Sequence, residues 1–244
     1  MTTKKLPLLL LMGLLIFSLS ACDDDSSAPA SNNTNDKEAS ITIDDTSFPD
    51  AAFRDALNAK VDKDGDGALS PIEIRKTDEL KLSNCGIASL QGIEYFTALE
   101  ALEVDGNQLT SLDLSKNSRL EELDCSYNQL TSLNLAANTA LESLDCIGNQ
   151  LTALDLSKNV RLEELDCENN QLTQLDLSQN NALVELNCSS NQLTALDLSQ
   201  NTHLEDLACN NNQLTTLDIT PTQIEDLRYD INTVQLIGTV RADD

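Results

Sequence analysis

The chain has 244 residues, of which 41 are acidic and 15 are basic, so its formal net charge is −26. Such a balance argues against a nucleic-acid partner, because phosphate binding needs a clustered basic surface and none is visible. Only 3% of the residues are aromatic and none is Trp, which argues against extensive stacking platforms for bases or sugars.

The N-terminal end of the chain has the organisation of a targeting segment. The basic start MTTKK is followed by the apolar run LPLLLLMGLLIFSLS, which is short for a membrane-spanning helix of about 20 apolar residues. The residues LSAC at 19–22 resemble the bacterial lipobox, whose cysteine is lipidated and becomes the new N-terminus. This resemblance implies a signal peptide over 1–21 and a lipid anchor on Cys22. An ordinary secretory signal and a short anchor helix are the alternatives.

Residues 22–45 are rich in Ser, Asn and Asp and lack apolar periodicity. They predict a flexible acidic tether, and about 20 such residues reach roughly 25 Å, enough to hold a folded part clear of a membrane. The acidic run after Cys22 resembles a surface-export signal in one group of bacterial lipoproteins and an inner-membrane retention signal in another. The expected location is the cell envelope, with the outer membrane or the cell surface favoured.

Residues 62–73, DKDGDGALSPIE, resemble an EF-hand calcium loop at every position of the template. Four carboxylates, one hydroxyl and one backbone carbonyl would form the oxygen shell that Ca²⁺ prefers. The predicted ligands are Asp62, Asp64, Asp66, Ala68, Ser70 and Glu73. EF-hands usually work in pairs, whereas this chain has one such loop. A plain Asp/Gly turn is the alternative.

The segments that flank the loop predict two short helices, so that residues 46–79 form a helix–loop–helix cap. The apolar face of the first helix consists of Ala52, Phe53, Ala56 and Leu57. After the loop, Ser70, Pro71 and Glu73 have the spacing of a capping box with proline at the first helical position. A repeat stack exposes an apolar end, and we expect this cap to cover it.

A 21-residue repeat runs through the rest of the chain. The tetrapeptide NQLT starts at residues 107, 128, 149, 170, 191 and 212. The leucine spacing around it resembles the leucine-rich-repeat pattern over about residues 77–237. Counting atypical ends, about eight units predict repeats over 80–237 and a tail over 238–244. The predicted fold is an α/β-type repeat solenoid: a leucine-rich-repeat horseshoe with a parallel sheet on its concave face and a small helical, EF-hand-like N-terminal cap.

Alternation within each short strand predicts which side chains face the core. In ELDCS, Leu123 and Cys125 point inward, while Glu122, Asp124 and Ser126 point outward. The asparagine of each NQLT would satisfy backbone groups at the turn that follows the strand.

Five of the seven cysteines recur once per repeat at an inward strand position: Cys125, Cys146, Cys167, Cys188 and Cys209. Val104 takes this position one unit earlier, which favours buried, unpaired thiols that pack as small apolar groups. Disulfides between neighbouring units would need an awkward torsion. A metal ladder is disfavoured because His203 is the only histidine in the chain.

No constellation in the sequence predicts catalysis, so we expect a protein that is not an enzyme. There is no partner set for His203 and neither a phosphate-binding loop nor a nucleophile elbow. Outward strand positions instead form acidic columns on the concave face, which leucine-rich-repeat proteins generally use for binding. The predicted partner-binding residues are Glu122, Asp124, Asp145, Glu164, Asp166, Glu185 and Asp206. A merely solvated face is the alternative.

Taken together, the sequence resembles bacterial surface leucine-rich-repeat lipoproteins with an EF-hand-like cap and, more loosely, internalin-type adhesion proteins. The resemblance implies a lipid-anchored, calcium-binding protein that recognises a protein or cell-surface partner through its concave face. A basic partner would suit that acidic face. The alternative is a structural envelope protein whose calcium only stabilises the N-terminal cap.

Overall fold

The computed structural model of the protein describes residues 39–241. The predicted signal peptide, Cys22, most of the predicted tether and residues 242–244 lie outside the described residues. Between residues 39 and 241, no helix combines the length and the apolar character that crossing a membrane requires.

The N-terminal cap consists of two short helices and a small sheet. Strand β1 (Ile41–Thr42) precedes helix α1 (Ala51–Lys60), and strand β2 (Ala68–Leu69) precedes helix α2 (Pro71–Lys76). Strands β1 and β2 pair antiparallel. Helix α1 starts where Asp50 Oδ1 accepts from the Phe53 amide at 3.0 Å. Helix α2 starts at the predicted capping box between Ser70 and Glu73.

Aromatic packing and one carboxylate join the cap to the first repeat. The Phe48 ring is fully buried and meets the rings of Phe53 and Tyr95 edge-on, each with centroids 5.7 Å apart. Gly92 lets this ring approach, because a Cβ at that residue would lie 2.2 Å from a Phe48 ring carbon. Asp50 Oδ2 accepts from the amides of residues 88 and 89 at 2.7 and 3.0 Å. The cap therefore covers the N-terminal end of the repeat core.

Each repeat contributes one three-residue strand to an eight-stranded parallel sheet. In chain order its strands are β3 (Glu79–Lys81), β4 (Ala101–Glu103), β5 (Glu122–Asp124), β6 (Ser143–Asp145), β7 (Glu164–Asp166), β8 (Glu185–Asn187), β9 (Asp206–Ala208) and, after one intervening strand, β11 (Asp226–Arg228). The pairing is in register, so that Leu123 lies between Leu102 and Leu144. This sheet confirms the predicted leucine-rich-repeat solenoid.

The opposite side of the stack has little regular structure. It contains a 3₁₀ helix over Ile93–Tyr95 and, at the C-terminal end, a parallel pair formed by β10 (Thr216–Asp218) and β12 (Gln235–Ile237). In the middle repeats the apolar triplets of this side are buried without forming strands, as at Leu133 and Leu135, which are 8% and 1% exposed. These triplets cover the side of the core that lies opposite the parallel sheet.

The inward leucines and cysteines form one core that is continuous from the cap through the repeats. All five cysteines of the predicted column are buried and free. Ser126, which the alternation places outward, is also buried, because its Oγ accepts from the Ile147 amide of the next repeat at 3.2 Å. The alternation thus holds along the strand but ends at the turn.

The NQLT asparagines bond neighbouring repeats together. Asn149 Nδ2 donates to the carbonyls of Cys125 and Cys146 at 3.0 and 3.1 Å, and its Oδ1 accepts from the Leu130 amide at 3.0 Å. The same bonds recur at Asn128, Asn170 and Asn191. The predicted role of these side chains at the turn is confirmed, and the structure adds that each one bonds backbone groups of two repeats.

A second asparagine column, which the sequence analysis did not single out, lies on the other side of the core. It consists of Asn117, Asn138, Asn159, Asn180 and Asn201, all with 0% exposure. Asn159 Nδ2 donates to the Leu135 and Asn138 carbonyls at 3.2 and 2.8 Å. Among residues 39–241, the Oδ1 atoms of this column lack a hydrogen-bond donor. Its recurrence at the period of the repeat is the signal that could have revealed it.

Candidate functional site

The acidic loop of the cap brings three predicted ligands together. One carboxylate oxygen from each of Asp62, Asp64 and Asp66 lies within 4.8 Å of the others. Asp62 is only 8% exposed, and its two oxygens accept from the Gly65 and Gly67 amides at 2.7 and 3.0 Å. The turn needs Gly67, whose φ of +79° is unfavourable for residues with a side chain. The loop therefore holds a compact group of oxygen atoms.

Glu73 reaches back from α2 to the same loop. Its Oε1 accepts from the Lys63 amide at 2.7 Å, and its Oε2 accepts from the Ser70 amide and hydroxyl at 2.9 and 2.8 Å. These hydrogen bonds, led by that of the Ser70 amide, lower the pKa of Glu73. The carboxylate therefore stays ionised beside the three aspartates.

Mutual repulsion is visible at Asp64. A backbone hydrogen bond from Asp66 lowers the pKa of this carboxyl, but desolvation and the charges of Asp66, Glu73 and Asp62 raise it overall. Three converging aspartates, with Glu73 bonded to the same loop, form the kind of oxygen-rich group that suits a hard divalent cation such as Ca²⁺. The residues present therefore fit the ion that the loop sequence suggests.

The single loop has a strand partner within its own chain. Ala68, whose carbonyl is a predicted ligand, lies in β2 opposite Thr42 of β1. The Ile43 amide also donates to the Gly67 carbonyl at 3.0 Å. This pairing supports the backbone of the loop without a second loop beside it.

The predicted partner-binding residues form two columns on the concave face, which we define as the outward side chains of β4–β9. Glu122, Glu164, Glu185 and Asp206 lie in one column, and Asp124, Asp145 and Asp166 lie in the other. Glu122, Glu164 and Glu185 are exposed, and the others are half-buried. The structure therefore brings together all seven residues as one acidic surface.

Desolvation and like charge raise the pKa values of five carboxyl groups on this surface. Desolvation is the larger cause at Asp124, Asp145, Asp166, Glu185 and Asp206. The effect is largest at Asp145, whose pKa rises to about 7 because neighbouring Asp124, Asp166 and Glu164 add to the effect of burial. At neutral pH the carboxylates of this column therefore repel one another, and only Asp166 receives a side-chain hydrogen bond from the column, that of Asn187, within the described residues.

Basic side chains pair with strand carboxylates at the two ends of the eight-stranded sheet. Lys81 pairs with Glu79 and Glu103 at 2.8 Å, and Arg228 pairs with Asp226 at 2.9 Å. Within the described part of the chain, no carboxylate of β5–β9 forms an ion pair. The middle of the face is thus an uncompensated anionic surface.

The chain has relatives in sequence family and in fold. The family described as the LRR domain of endo-β-N-acetylglucosaminidase EndoS matches residues 48–180, more than half of the chain. The functional domain of InlJ from Listeria monocytogenes, which includes a cysteine ladder, is 29% identical with a TM-score of 0.52; the match covers 80% of this chain and 55% of that one. A search of curated proteins gives no significant match.

Two further solved structures share the architecture. An LRR protein from Leptospira interrogans is 26% identical with a TM-score of 0.57, over 69% of this chain and 46% of that one. The internalin InlF from L. monocytogenes is 22% identical with a TM-score of 0.59, over 84% of this chain and 75% of that one. The chain spans about half the length of the solved InlJ domain. It belongs to the leucine-rich-repeat family of the EndoS LRR domain, with a fold of the internalin type.

Proposed function

We propose that this protein is a lipid-anchored, calcium-binding leucine-rich-repeat module that recognises a protein or cell-surface partner through its concave face. The observation that carries the proposal is the uncompensated row of carboxylates on β5–β9. Charge of one sign over such a surface accelerates the encounter with a partner of opposite sign. The role is one of binding rather than catalysis.

The acidic columns would gain from a basic partner. Like charges about 5 Å apart repel by somewhat under 1 kcal/mol per pair in water, and the raised pKa values indicate that partial burial strengthens this repulsion. A partner with lysine or arginine side chains would relieve it. The similarity to InlJ over 80% of this chain agrees with an internalin-type module.

Capture from intact cells or extracellular matrix tests the concave face. The protein is compared with a Glu164→Lys/Glu185→Lys variant, because both side chains are exposed and the change leaves the core intact. An Asp155→Lys/Asp176→Lys variant has the same charge change on the opposite side of the stack and serves as control. We expect loss of capture for the first variant alone. Equal capture by all three proteins would count against the proposal.

The proposed calcium ligands are Asp62, Asp64, Asp66, Ala68, Ser70 and Glu73. Convergence of the three aspartates within 4.8 Å supports this set. Bound calcium would neutralise the loop and fix α1 relative to α2. Single extracellular modules of this kind bind with a Kd of about 10⁻⁴–10⁻³ M.

Thermal unfolding measures the calcium contribution. At about 10 mM CaCl₂ and a Kd of about 1 mM, binding stabilises the folded state by roughly 1.4 kcal/mol, which raises the Tm by about 3–5 °C. Glu73→Gln should abolish the rise, while glutamine preserves the capping box of α2. NaCl at equal ionic strength is the control for screening. A wild-type Tm that does not differ between calcium and chelator would exclude the site.

The lipid anchor on Cys22 is supported by the lipobox resemblance and lies outside the described residues. Metabolic labelling with palmitate should mark the wild-type protein and leave a Cys22→Ser variant unlabelled. Label in both proteins, or in neither, would contradict the anchor. Cell fractionation of the labelled protein then distinguishes the inner membrane from the outer membrane and the cell surface.

A structural envelope protein is the second candidate. The observation that favours it is the position of the acidic loop within a cap that packs on the first repeat through Phe48 and Asp50. Calcium there would act on stability alone. A calcium-dependent Tm together with capture that no concave-face substitution affects would support this second function.

A further inference from the structure

A groove lies outside the concave face, along the turns that lead into β7, β8 and β9. It has a volume of about 570 Å³, and its lining includes Val160, Glu163, Ala182, Val184, His203 and Glu205. Val160 is 51% exposed, although valine is ordinarily a core residue. The groove thus combines apolar walls with two carboxylates.

The neighbouring repeats show what such a carboxylate binds. Arg119 donates to Glu100 of the preceding repeat at 2.8 Å, and Arg161 donates to Glu142 in the same way. In both pairs the arginine directly precedes an inward leucine, and the glutamate belongs to the repeat before it. Two repeats therefore bind a guanidinium group at this carboxylate, whereas the repeat between them has Ala140 at the arginine position beside Glu121.

At the groove the arginine is also missing. Ala182 stands at the arginine position, so the carboxylate of Glu163, which stands at the matching glutamate position, has no ion pair within residues 39–241. Val184 replaces the glutamate of the next repeat and leaves the floor apolar. The short side chain of Ala182 in place of arginine, and the uncharged side chain of Val184 in place of glutamate, together open the groove.

The wall of the groove next to β9 carries a second carboxylate, that of Glu205. Glu205 forms no ion pair in the described part of the chain. Gln223, one repeat on, donates instead to the Thr202 carbonyl at 3.0 Å. The ring of His203 has its Nδ1 at 3.2 Å from the Asn181 carbonyl oxygen. Glu163 and Glu205 directly precede β7 and β9, which are two strand spacings, about 10 Å, apart, and they flank the apolar floor.

We propose that this groove binds an arginine side chain of a partner protein, which takes the seat that Arg119 and Arg161 occupy in their own repeats. The guanidinium group has donors on several sides and can bond carboxylates on both walls. Its methylene chain would lie on Ala182 and Val184. The inference deepens the proposed function by naming one chemical feature of the partner, and it does not depend on the concave face.

Titration with a small peptide tests whether the groove binds arginine, without the need to identify the partner protein. Binding of the probe, acetyl-Ala-Arg-Ala-amide, is followed by NMR through the backbone amides of the full-length protein and through the Val184 methyl groups, which line the groove. The control is the same peptide with citrulline, which keeps the shape of arginine and lacks its charge. We expect saturable shifts with the arginine peptide and a Kd about fivefold higher with citrulline, because two exposed charge pairs are lost.

Two matched variants decide where the peptide binds. Ala182→Arg supplies the missing side chain from within, pairs with Glu163, and should abolish the shifts while the Tm is kept. Ala140→Arg makes the same change two repeats earlier, beside Glu121, and should leave binding unchanged. Absence of saturable shifts, equal binding of citrulline, or binding that survives Ala182→Arg would overturn the inference. Shifts confined to the concave strands would instead place the peptide on that face, so this inference and the proposed function fail separately.

Discussion

Aspartate occupies two opposite environments in this repeat. On the side away from the concave face, Asp155 is exposed, and its Oδ1 accepts from the Ser157 amide at 2.9 Å, which lowers its pKa. On the concave face, desolvation and like charge raise the pKa of Asp145 to about 7. One residue type in one repeat therefore favours the folded state in one place and opposes it in the other.

Replacement of Asp145 should reveal this penalty as a dependence on pH. Because its folded-state pKa of about 7 lies above the ordinary 3.8, its contribution to stability is complete below about pH 4 and is lost as pH rises through about 7. Asp145→Asn should therefore stabilise the fold at pH 8 by about 1–2 kcal/mol, allowing for partial exposure, and change little at pH 4. Urea unfolding at both pH values measures the difference.

One residue of the chain supports this expectation, and another provides a control. Asn187 already occupies the same strand position and donates to Asp166 Oδ2 at 2.9 Å, so an asparagine introduced at position 145 can donate to Asp124 in the same way. Asp155→Asn is the control, since its lowered pKa gives no gain from neutralisation at pH 8. Equal effects of Asp145→Asn at pH 4 and pH 8 would contradict the assignment.

The cysteine column shows which property its position requires. Val104 and Cys167 are both fully buried at the same inward position, and burial raises the pKa of the Cys167 thiol. Cys167→Val should therefore change the free energy of unfolding by less than about 1.5 kcal/mol. Cys167→Ser should cost about 1–3 kcal/mol, because it buries a hydroxyl group in an apolar site. A valine variant less stable than the serine variant would refute the packing role.

At the scale of the element, the sequence predicts strands well because each strand copies its neighbour. The inward Leu123 and Cys125 are buried as the alternation requires, and the NQLT asparagines make their predicted backbone bonds. The pairing of β1 with β2 escapes sequence reasoning because a two-residue strand has no period. The groove beside Ala182 escapes it because only the register of the folded repeats places that alanine beside Glu163.

In the acidic loop, too, the sequence predicts local contacts but not contacts between distant segments. Its template predicts which residues converge, since Asp62, Asp64 and Asp66 follow a fixed turn with Gly67. The sequence does not predict that Asp50 Oδ2 accepts amides from residues 88 and 89. That contact joins segments far apart in the chain, and no local pattern encodes it.

The bonds of the NQLT asparagines should stabilise the turn that follows each strand. Asn149→Ala removes three hydrogen bonds: its donations to the Cys125 and Cys146 carbonyls and its acceptance from the Leu130 amide. The two carbonyls keep their bonds from Asn128 and Asn170, but the buried Leu130 amide loses its acceptor. We expect a loss of about 2–4 kcal/mol in the free energy of unfolding. Gln150→Ala, at the adjacent exposed position, should cost under about 0.5 kcal/mol. Similar losses for the two variants would show that the asparagine bonds do not hold the turn.

At the scale of the whole molecule, the two ends of the stack differ. The N-terminal end is covered by a cap whose aromatic core is fully buried at Phe48 and Phe53. Near the C-terminal end, Ile231 and Ile237 are 73% and 45% exposed, and β11 is the edge strand of the eight-stranded sheet. In a stack where each repeat contacts only its neighbours, stability is close to a sum of local terms. Such a stack should tolerate the loss of a whole repeat.

Excision of one repeat tests this picture of the molecule. Removal of residues 147–167 joins Cys146 to Glu168 and keeps every leucine, cysteine and asparagine in phase, because the deleted segment is one full period long. We expect a folded protein whose Tm is lower by about 5–10 °C, since one repeat and one interface are lost. Removal of residues 147–156 deletes half a period and shifts the inward leucines out of register with their neighbours. This variant should not fold cooperatively and should show no sharp melting transition. Circular dichroism with thermal melting compares the two deletions. If both deletions melt alike, strand register does not organise the stack, and the local summation of stability is wrong for this protein.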